Sequence, residues 1–332
     1  MNELGNSFQK NHFKKYLVQK IDDKSSYEDL LIFPRYFEIE TINACNARCP
    51  MCTIEDWPRS RGYMSDELFS KIAHEIAGFK RIIKKVSLFR DSEPLLDKKL
   101  SERILLMKKL GVPNVGISTN LSLLDEDRSI SLLEAGIDDI ILSIDSLKKD
   151  VFERIRVNLE FETVIENAHR FISLRNQIRP ETAIRIRMIR QPLNHTEWPE
   201  YFEYWQPKLS IHDTCRYLNL HNWGGQLRDY KPVDLPQKST LPCLAHWSLM
   251  AIFADGSVPM CNIDYGIKYP NGTVQDQTIA EIWHSQTMAE RRRHHLSGNR
   301  GKNNLCLECN VWDDFDVWNQ VSGKIIGSPF SK

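Results

Sequence analysis

The sequence predicts an α/β protein: a parallel sheet, open or curled into a partial barrel, followed by a small α+β module with a β-hairpin and a helix. Three observations carry this expectation. Strand-like and helical segments alternate through residues 35–221, the pattern of parallel strands joined by right-handed helical crossovers. The polar, chemistry-bearing residues fall just after the strand-like segments, where ligands gather in such sheets. Near residue 225 the alternation stops at GGQLRDYKPVDLPQKSTLP, a turn- and proline-rich stretch.

Taken in order, residues 1–32 read as a polar leader with one short helix. RYFEIET (35–41) is the first strand, and a cysteine loop follows it. In SDELFSKIAHEIAGF, Leu68, Ile72 and Ile76 share one helical face, with Ser65 at the start and Gly78 near the end. KKVSLF (84–89) is a second strand, and KKLSERILLMKKLG a helix ended by Gly111. NVGIST (114–119), DDIILSID (138–145), AIRIRMI (183–189) and CRYLNLH (215–221) supply four more strands. The core is assigned to 33–225, a linker to 226–240, a second module to 241–320 and a tail to 321–332. In that module SLMAIFADGSVPMC reads as a hairpin turning at Asp255-Gly256. TIAEIWHSQTMAERRRHHL reads as one helix opened by a capping box of Thr278 and Glu281. Its RRRHH run (291–295) spreads around the helix and reads as a solvated face. Trp223, in HNWGG, is expected to pack beneath the second module rather than to line a pocket.

The chain has 332 residues, 41% hydrophobic and 27% charged, with 44 basic and 44 acidic side chains. That balance is ordinary for a globular protein and argues against a dedicated nucleic-acid or membrane-surface binder, which relies on long-range attraction. No run of eighteen apolar residues exists to span a bilayer. The opening MNELGNSFQKNHFKKYLVQK lacks the apolar stretch and cleavage site of a signal peptide. The expected compartment is the cytosol, where cysteines serve as metal ligands or thiols rather than disulfides.

The eight cysteines divide into three, four and one. Cys45, Cys49 and Cys52 form C-x3-C-x2-C in TINACNARCPMC. A zinc finger wants a fourth ligand at short spacing, and a disulfide framework an even count. Three thiolates suit a cubane iron–sulfur cluster that keeps one iron open, as catalytic metal sites do; a zinc knuckle completed by a distant histidine and plain buried thiols are the alternatives. Cys243, Cys261, Cys306 and Cys309 form C-x17-C-x44-C-x2-C, a set that saturates either a zinc ion or a four-iron cluster. Cys215 stands alone at the start of the sixth strand.

These residues resemble the radical S-adenosylmethionine (SAM) enzymes over most of residues 33–318. IETINACNARCPMC is similar to that superfamily's cluster loop, with Met51 where a large apolar residue lies beside the adenine. DSEPLL stands where G-G-E-P is usual, which points to Ser92 and Glu93 as holders of the SAM ammonium, although Asp91 and Ser92 replace two glycines. STN points likewise to Asn120, and LSIDS followed by FERIR to Ser143 and Arg156 at the carboxylate and ribose. The stretches PCLAHWSLMAIFADGSVPMCNID, TIAEIWHS and CLECN resemble the SPASM/Twitch extension in its short form.

The resemblance implies a partial (β/α)6 TIM-like barrel with one four-iron (4Fe-4S) cluster, whose open iron binds S-adenosyl-L-methionine, and an auxiliary 4Fe-4S cluster on the four later cysteines. It implies cleavage of SAM to a 5′-deoxyadenosyl radical, hydrogen abstraction and, in the single-auxiliary-cluster branch, oxidation of a secondary alcohol on a sugar, cyclitol or nucleotide sugar. The auxiliary cluster would accept the second electron, and a flavodoxin or ferredoxin would donate the first. No nucleic-acid or membrane partner is implied. Arg187, His212, Asp213 and His221 are candidates for the base. Three alternatives stand beside this reading: a redox-neutral epimerase with Cys215 as hydrogen donor, a ribosomal-peptide maturase, and a non-catalytic electron carrier or zinc scaffold.

Overall fold

Strand order follows chain order in the principal sheet. A computed structural model describes residues 3–59, 61–227, 233 and 240–311; the tail assigned to 321–332 and most of the linker assigned to 226–240 lie outside the described residues. The strands are β1 (Tyr36–Ile39), β2 (Lys85–Ser87), β3 (Val115–Thr119), β4 (Asp139–Ser143), β5 (Ala183–Arg190), β6 (Thr214–Asn219) and β7 (Leu249–Ile252). They form a seven-stranded sheet in the order β6-β5-β4-β3-β2-β1-β7, every pair parallel. Because the order never reverses across the six core strands, right-handed crossovers place the helices on one face. The other face must curl on itself to be covered, which gives the partial barrel.

The helices are α1 (Glu3–Ile21), α2 (Tyr27–Leu30), α3 (Asp66–Gly78), α4 (Leu100–Lys109), α5 (Glu126–Glu134), α6 (Lys149–Ile155), α7 (Phe161–Ile178), α8 (Trp198–Trp205), α9 (Ala245–Ser248), α10 (Ile279–Trp283) and α11 (Gln286–Leu296). As the sequence implies, Ser65 caps α3 by accepting from the Leu68 N–H, and Leu68, Ile72 and Ile76 are buried.

Period-2 alternation with this register sorts the strand residues into two faces. Ile117, Ile140, Leu142, Ile184 and Ile186 take one, in the main hydrophobic core. Glu38, Ser87, Ser118, Ser143, Arg185 and Arg187 take the other, the barrel lumen. Such a polar lumen is tolerable only when its charges are paired. Asp139 there pairs with both Lys85 and Arg185. Those two cations hold its carboxyl below the ordinary value against the opposing effect of burial.

Three expectations change. The segment 249–258 is not a hairpin ladder. Its turn forms, with Gly256 at φ 86° and its N–H on the Phe253 carbonyl, but β7 pairs with β1 and completes the barrel edge. The short strands β8 (Ser257–Val258) and β9 (Gly272–Thr273) pair antiparallel instead. The single C-terminal helix is two: Thr278 and Glu281 make the capping box of α10, and Ser285 then caps α11. The short leader helix is a helix of 19 residues. Its Leu17 and Ile21 pack with Leu30, Leu244 and Trp247.

Candidate active site

A cavity of about 270 Å³ opens at the carboxyl ends of the core strands. The loop after β1 brings Cys45, Cys49 and Cys52 to its wall, beside Met51, Ser92, Glu93, Asn120, Ser143, Arg156 and Arg187. Of the residues singled out from the core sequence, all but His212, Asp213 and Cys215 therefore meet here. A tight turn folds the loop back, with the Cys52 N–H on the Cys49 carbonyl at 2.9 Å. Burial pushes the Cys45 thiol up to about 11, and the Cys49 and Cys52 thiols also upward. Low-dielectric thiols of this kind ionise when a metal or cluster takes the charge. The donor set fits a cluster with an open iron: three sulfurs converge on one cavity wall. Two donors already point at those sulfurs, Asn120 Nδ2 at 3.9 Å from Cys45 Sγ and Arg156 Nη1 at 3.7 Å from Cys49 Sγ.

Glu93 is braced from three sides. Its carboxylate accepts from the Leu95 N–H at 3.1 Å, the Thr119 hydroxyl at 2.8 Å and the Asn120 N–H at 2.7 Å. Burial nevertheless raises it to about 7. Arg156 is held by Asp145 at 2.6 Å. Burial opposes its charge, but Asp145 and Cys49 outweigh that and raise its pKa. Ser143 and Ser118 both accept from Arg187 Nη2, at 2.7 and 3.0 Å. Among the described residues Arg187 Nε has no hydrogen-bond partner. Burial and the neighbouring Arg156 lower Arg187 to about 10.

The base candidates separate by position. His212 is exposed, and Asp213 forms an ion pair with Arg175 at 2.6 Å, both at the amino end of β6 and away from the cavity. Arg187 and His221 line the cavity. Burial, with Arg90 and Arg187 nearby, lowers His221 to about 4, but its Nδ1 already accepts from the Trp223 N–H at 3.2 Å. Cys215 is not a lining residue. It precedes Leu218, the first residue of β6 at the cavity, by about 10 Å of strand. It is set against the main core, where burial lifts its thiol to about 12. Cys215 thus sits at the amino end of its strand, as its place at the start of that strand implies, and away from the cavity, which weighs against it as a hydrogen donor.

Trp223 both packs and lines. It touches the small cluster of Met260, Ile263 and Leu305 and also faces the cavity, with Nε1 donating to the Met51 carbonyl at 3.1 Å. It joins the two parts of the site, because the same cluster contains Cys261, Cys306 and Cys309. Those three and Cys243 line a second, smaller pocket. Next to Cys261, Asn262 reaches the first cavity, where its carbonyl accepts from Arg90. Four converging thiols, all raised by burial where a shift is resolved, fit a fully ligated cluster.

The second pocket also holds two residues that sequence reasoning missed, His246 and His295. With Cys306 they place three ligand atoms within 4.8 Å of one another. His295 belongs to the run read as a solvated face. In fact Arg292 and His295 are buried, and Arg292 donates to the His246 and Trp283 carbonyls at 2.9 Å each. The signal was available only as HW and HH doublets with no periodic pattern.

Comparison with known proteins agrees with this geometry. The radical SAM superfamily matches residues 39–186, and an iron–sulfur cluster-binding domain, SPASM, matches residues 243–310. Over 188 residues the chain is 30% identical to the GTP 3′,8-cyclase of Chlorobaculum tepidum, covering 56% of this chain and 53% of that protein. Over 93 residues it is 31% identical to the S-adenosyl-L-methionine-dependent 2-deoxy-scyllo-inosamine dehydrogenase of Niallia circulans, covering 28% of this chain and 36% of that one. The chain thus spans about half the length of the first relative and about a third of the second. In fold it is similar to BtrN in complex with AdoMet and 2-DOIA, with a TM-score of 0.59 and 21% identity, over 83% of this chain and 93% of BtrN. Among the described residues no helix is long and apolar enough to cross a membrane. The two matched domains imply 4Fe-4S clusters and S-adenosylmethionine as cofactors. With its three-cysteine cavity, its four-cysteine pocket and both domains matched, the chain belongs to the radical SAM superfamily and carries a SPASM domain.

Proposed function

We propose that the protein is a dehydrogenase that oxidises a secondary alcohol of a sugar- or cyclitol-type small molecule. One observation carries the reading: a closed four-cysteine pocket abuts the open three-cysteine cavity through Trp223 and Asn262. When bound, the cofactors supply a 5′-deoxyadenosyl radical, which takes one hydrogen atom from the substrate carbon, and an acceptor for the one electron that carbon then releases. The hydroxyl loses its proton at the same stage, so hydrogen atom, electron and proton together leave a ketone. The likeness to 2-deoxy-scyllo-inosamine dehydrogenase and to the BtrN fold supports a cyclitol among the possible substrates.

The residues take complementary parts. Cys45, Cys49 and Cys52 hold the first cluster, and Cys243, Cys261, Cys306 and Cys309 the auxiliary one. Ser92 and Glu93 face the SAM ammonium, Met51 the adenine, and Asn120, Ser143 and Arg156 the remaining polar edge. Arg156 presents a guanidinium whose orientation Asp145 fixes, which suits bidentate recognition of a carboxylate. Arg187 faces the substrate hydroxyl, and in its neutral form, made more accessible by burial and the neighbouring Arg156, it receives the proton. It is favoured over His221 because the acceptor nitrogen of His221 is already occupied by the Trp223 N–H. A low-potential donor of the flavodoxin or ferredoxin type supplies the electron that starts the reaction.

Metal analysis of protein reconstituted anaerobically tests this. The wild type is expected to hold about eight irons, and a Cys243→Ala, Cys261→Ala double variant about four. Incubation with SAM, reductant and 2-deoxy-scyllo-inosamine should then yield one 5′-deoxyadenosine per ketone. About four irons with one zinc in the wild type would remove the electron acceptor and, with it, the dehydrogenase.

A further inference from the structure

The four-cysteine pocket contains a histidine whose two nitrogens address two different ligands. His295 lies near the end of α11 and is 1% exposed. Its Nδ1 accepts a hydrogen bond from the backbone N–H of Cys243 at 3.1 Å. A ring nitrogen that accepts carries a lone pair and no proton, so the proton of this imidazole is on Nε2. Nε2 is 3.8 Å from the Sγ of Cys306.

We propose that His295 is a positioning and tuning residue of the auxiliary cluster: it clamps the backbone of Cys243 and donates its Nε2–H to the sulfur of Cys306, raising the cluster's reduction potential. Hydrogen bonds to cluster sulfurs are among the protein's levers on such potentials. A donor stabilises the more negative, reduced state more than the oxidised one. The direction is useful, because a higher potential makes the cluster a better acceptor of the electron released by the substrate carbon.

The surroundings hold the ring in place for this. The ring of His246 meets it edge-on at 4.7 Å, and that of Trp247 at 6.1 Å. Arg292, one turn earlier on α11, ties the helix to the carbonyls of His246 and Trp283. The imidazole is thus fixed at both nitrogens, on its face and along its helix. Such outer-shell partners orient and tune a metal site as much as the ligands do. The inference rests on the four-cysteine ligand set and not on the identity of the substrate. It therefore stands or falls separately from the dehydrogenase reading.

The test uses the full chain in a Cys45→Ala, Cys49→Ala, Cys52→Ala background, so that only the auxiliary cluster contributes to the EPR spectrum. Redox titration of His295→Phe should show a lower midpoint potential at unchanged iron content. A tenfold fall in the reduced-to-oxidised ratio at fixed potential corresponds to about 59 mV for one electron. His295→Gln, which still offers an N–H, should recover part of the shift. An unchanged potential with the iron retained would overturn the proposal. Should His295→Phe lose its iron, wild-type protein labelled with 15N-histidine decides by pulsed EPR. A weak 15N coupling transmitted through the hydrogen bond is expected. No coupling would overturn the proposal, and so would the strong coupling of a directly bonded nitrogen, which would make His295 a ligand.

Discussion

Arg187 lines the cavity and is the group proposed to take the proton of the substrate hydroxyl, so its replacement should separate binding from catalysis. Arg187→Gln keeps a hydrogen-bond donor near Ser118 and Ser143, which accept from Nη2, but removes the group proposed to take the proton. Turnover with the alcohol should fall by about 10²- to 10⁴-fold, the usual range for a lost acid–base group, while SAM binding changes little. A raised KM with unaltered kcat would instead assign Arg187 to uniform substrate binding. The residue scale is also where the sequence was most uneven as a guide. The cysteine triad and the Cys306–Cys309 pair were legible from their close spacing, and Cys243 and Cys261 through the family resemblance; the structure brings each set together. His295 was not. Its burial is imposed by the Cys243 loop, some fifty positions away in sequence, and no local pattern records a contact of that range. Cys215 was legible as the start of its strand, and that placement sets it at the amino end of the barrel, away from the cavity where a hydrogen donor would have to stand.

Gly116 shows how tightly the elements fit. It faces the lumen of β3 opposite Asp139, where a Cβ would stand 2.6 Å from the Asp139 carbonyl oxygen and 3.0 Å from its Cβ. The obstacle is backbone, which cannot swing aside as a side-chain tip can. Gly116→Ala is expected to cost about 1–3 kcal/mol, as overpacking does. The measurement is a denaturant melt of the protein without cofactors, and an unchanged midpoint would mean that β3 and β4 slide apart freely. The strands themselves were legible, since β-rich runs bounded by turns mark them wherever both faces are buried. The helix break at His284-Ser285 was not, although serine is a strong cap. The helical pattern continues through it, and the break is fixed by a tertiary contact, His284 Nε2 at 2.9 Å from the Leu31 carbonyl oxygen.

At the scale of the molecule, the cluster-binding C-terminal segment is built into the barrel. Its strand β7 pairs with β1 along Tyr36–Ile39, and just beyond it the Ala254 N–H donates to Glu40 at 3.0 Å. Phe253 lies against the guanidinium of Arg59 at 3.7 Å, and Arg59 in turn grips Glu40 at 2.6 Å. This arrangement was out of reach of the sequence, because Leu249–Ile252 satisfies the pattern of a hairpin strand as well as that of a barrel edge. What decides is the open edge of β1, where unpaired N–H and C=O groups would otherwise meet solvent or another chain. A chain cut after residue 240 would expose that edge together with the apolar surface that Met250 and Ile252 cover, each worth about 1.5–3 kcal/mol of burial. It would also leave Leu17 and Ile21 of α1 without Leu244 and Trp247. Residues 1–240 alone should therefore be aggregation-prone, and their β1 amides should exchange hydrogen orders of magnitude faster than in the full chain. Co-expression of residues 241–332 as a separate chain should restore solubility if edge pairing is the cause. A soluble fragment with β1 still protected would show that the barrel closes without β7, and the two cysteine sites would then be held together by Trp223 and its neighbours rather than by the sheet.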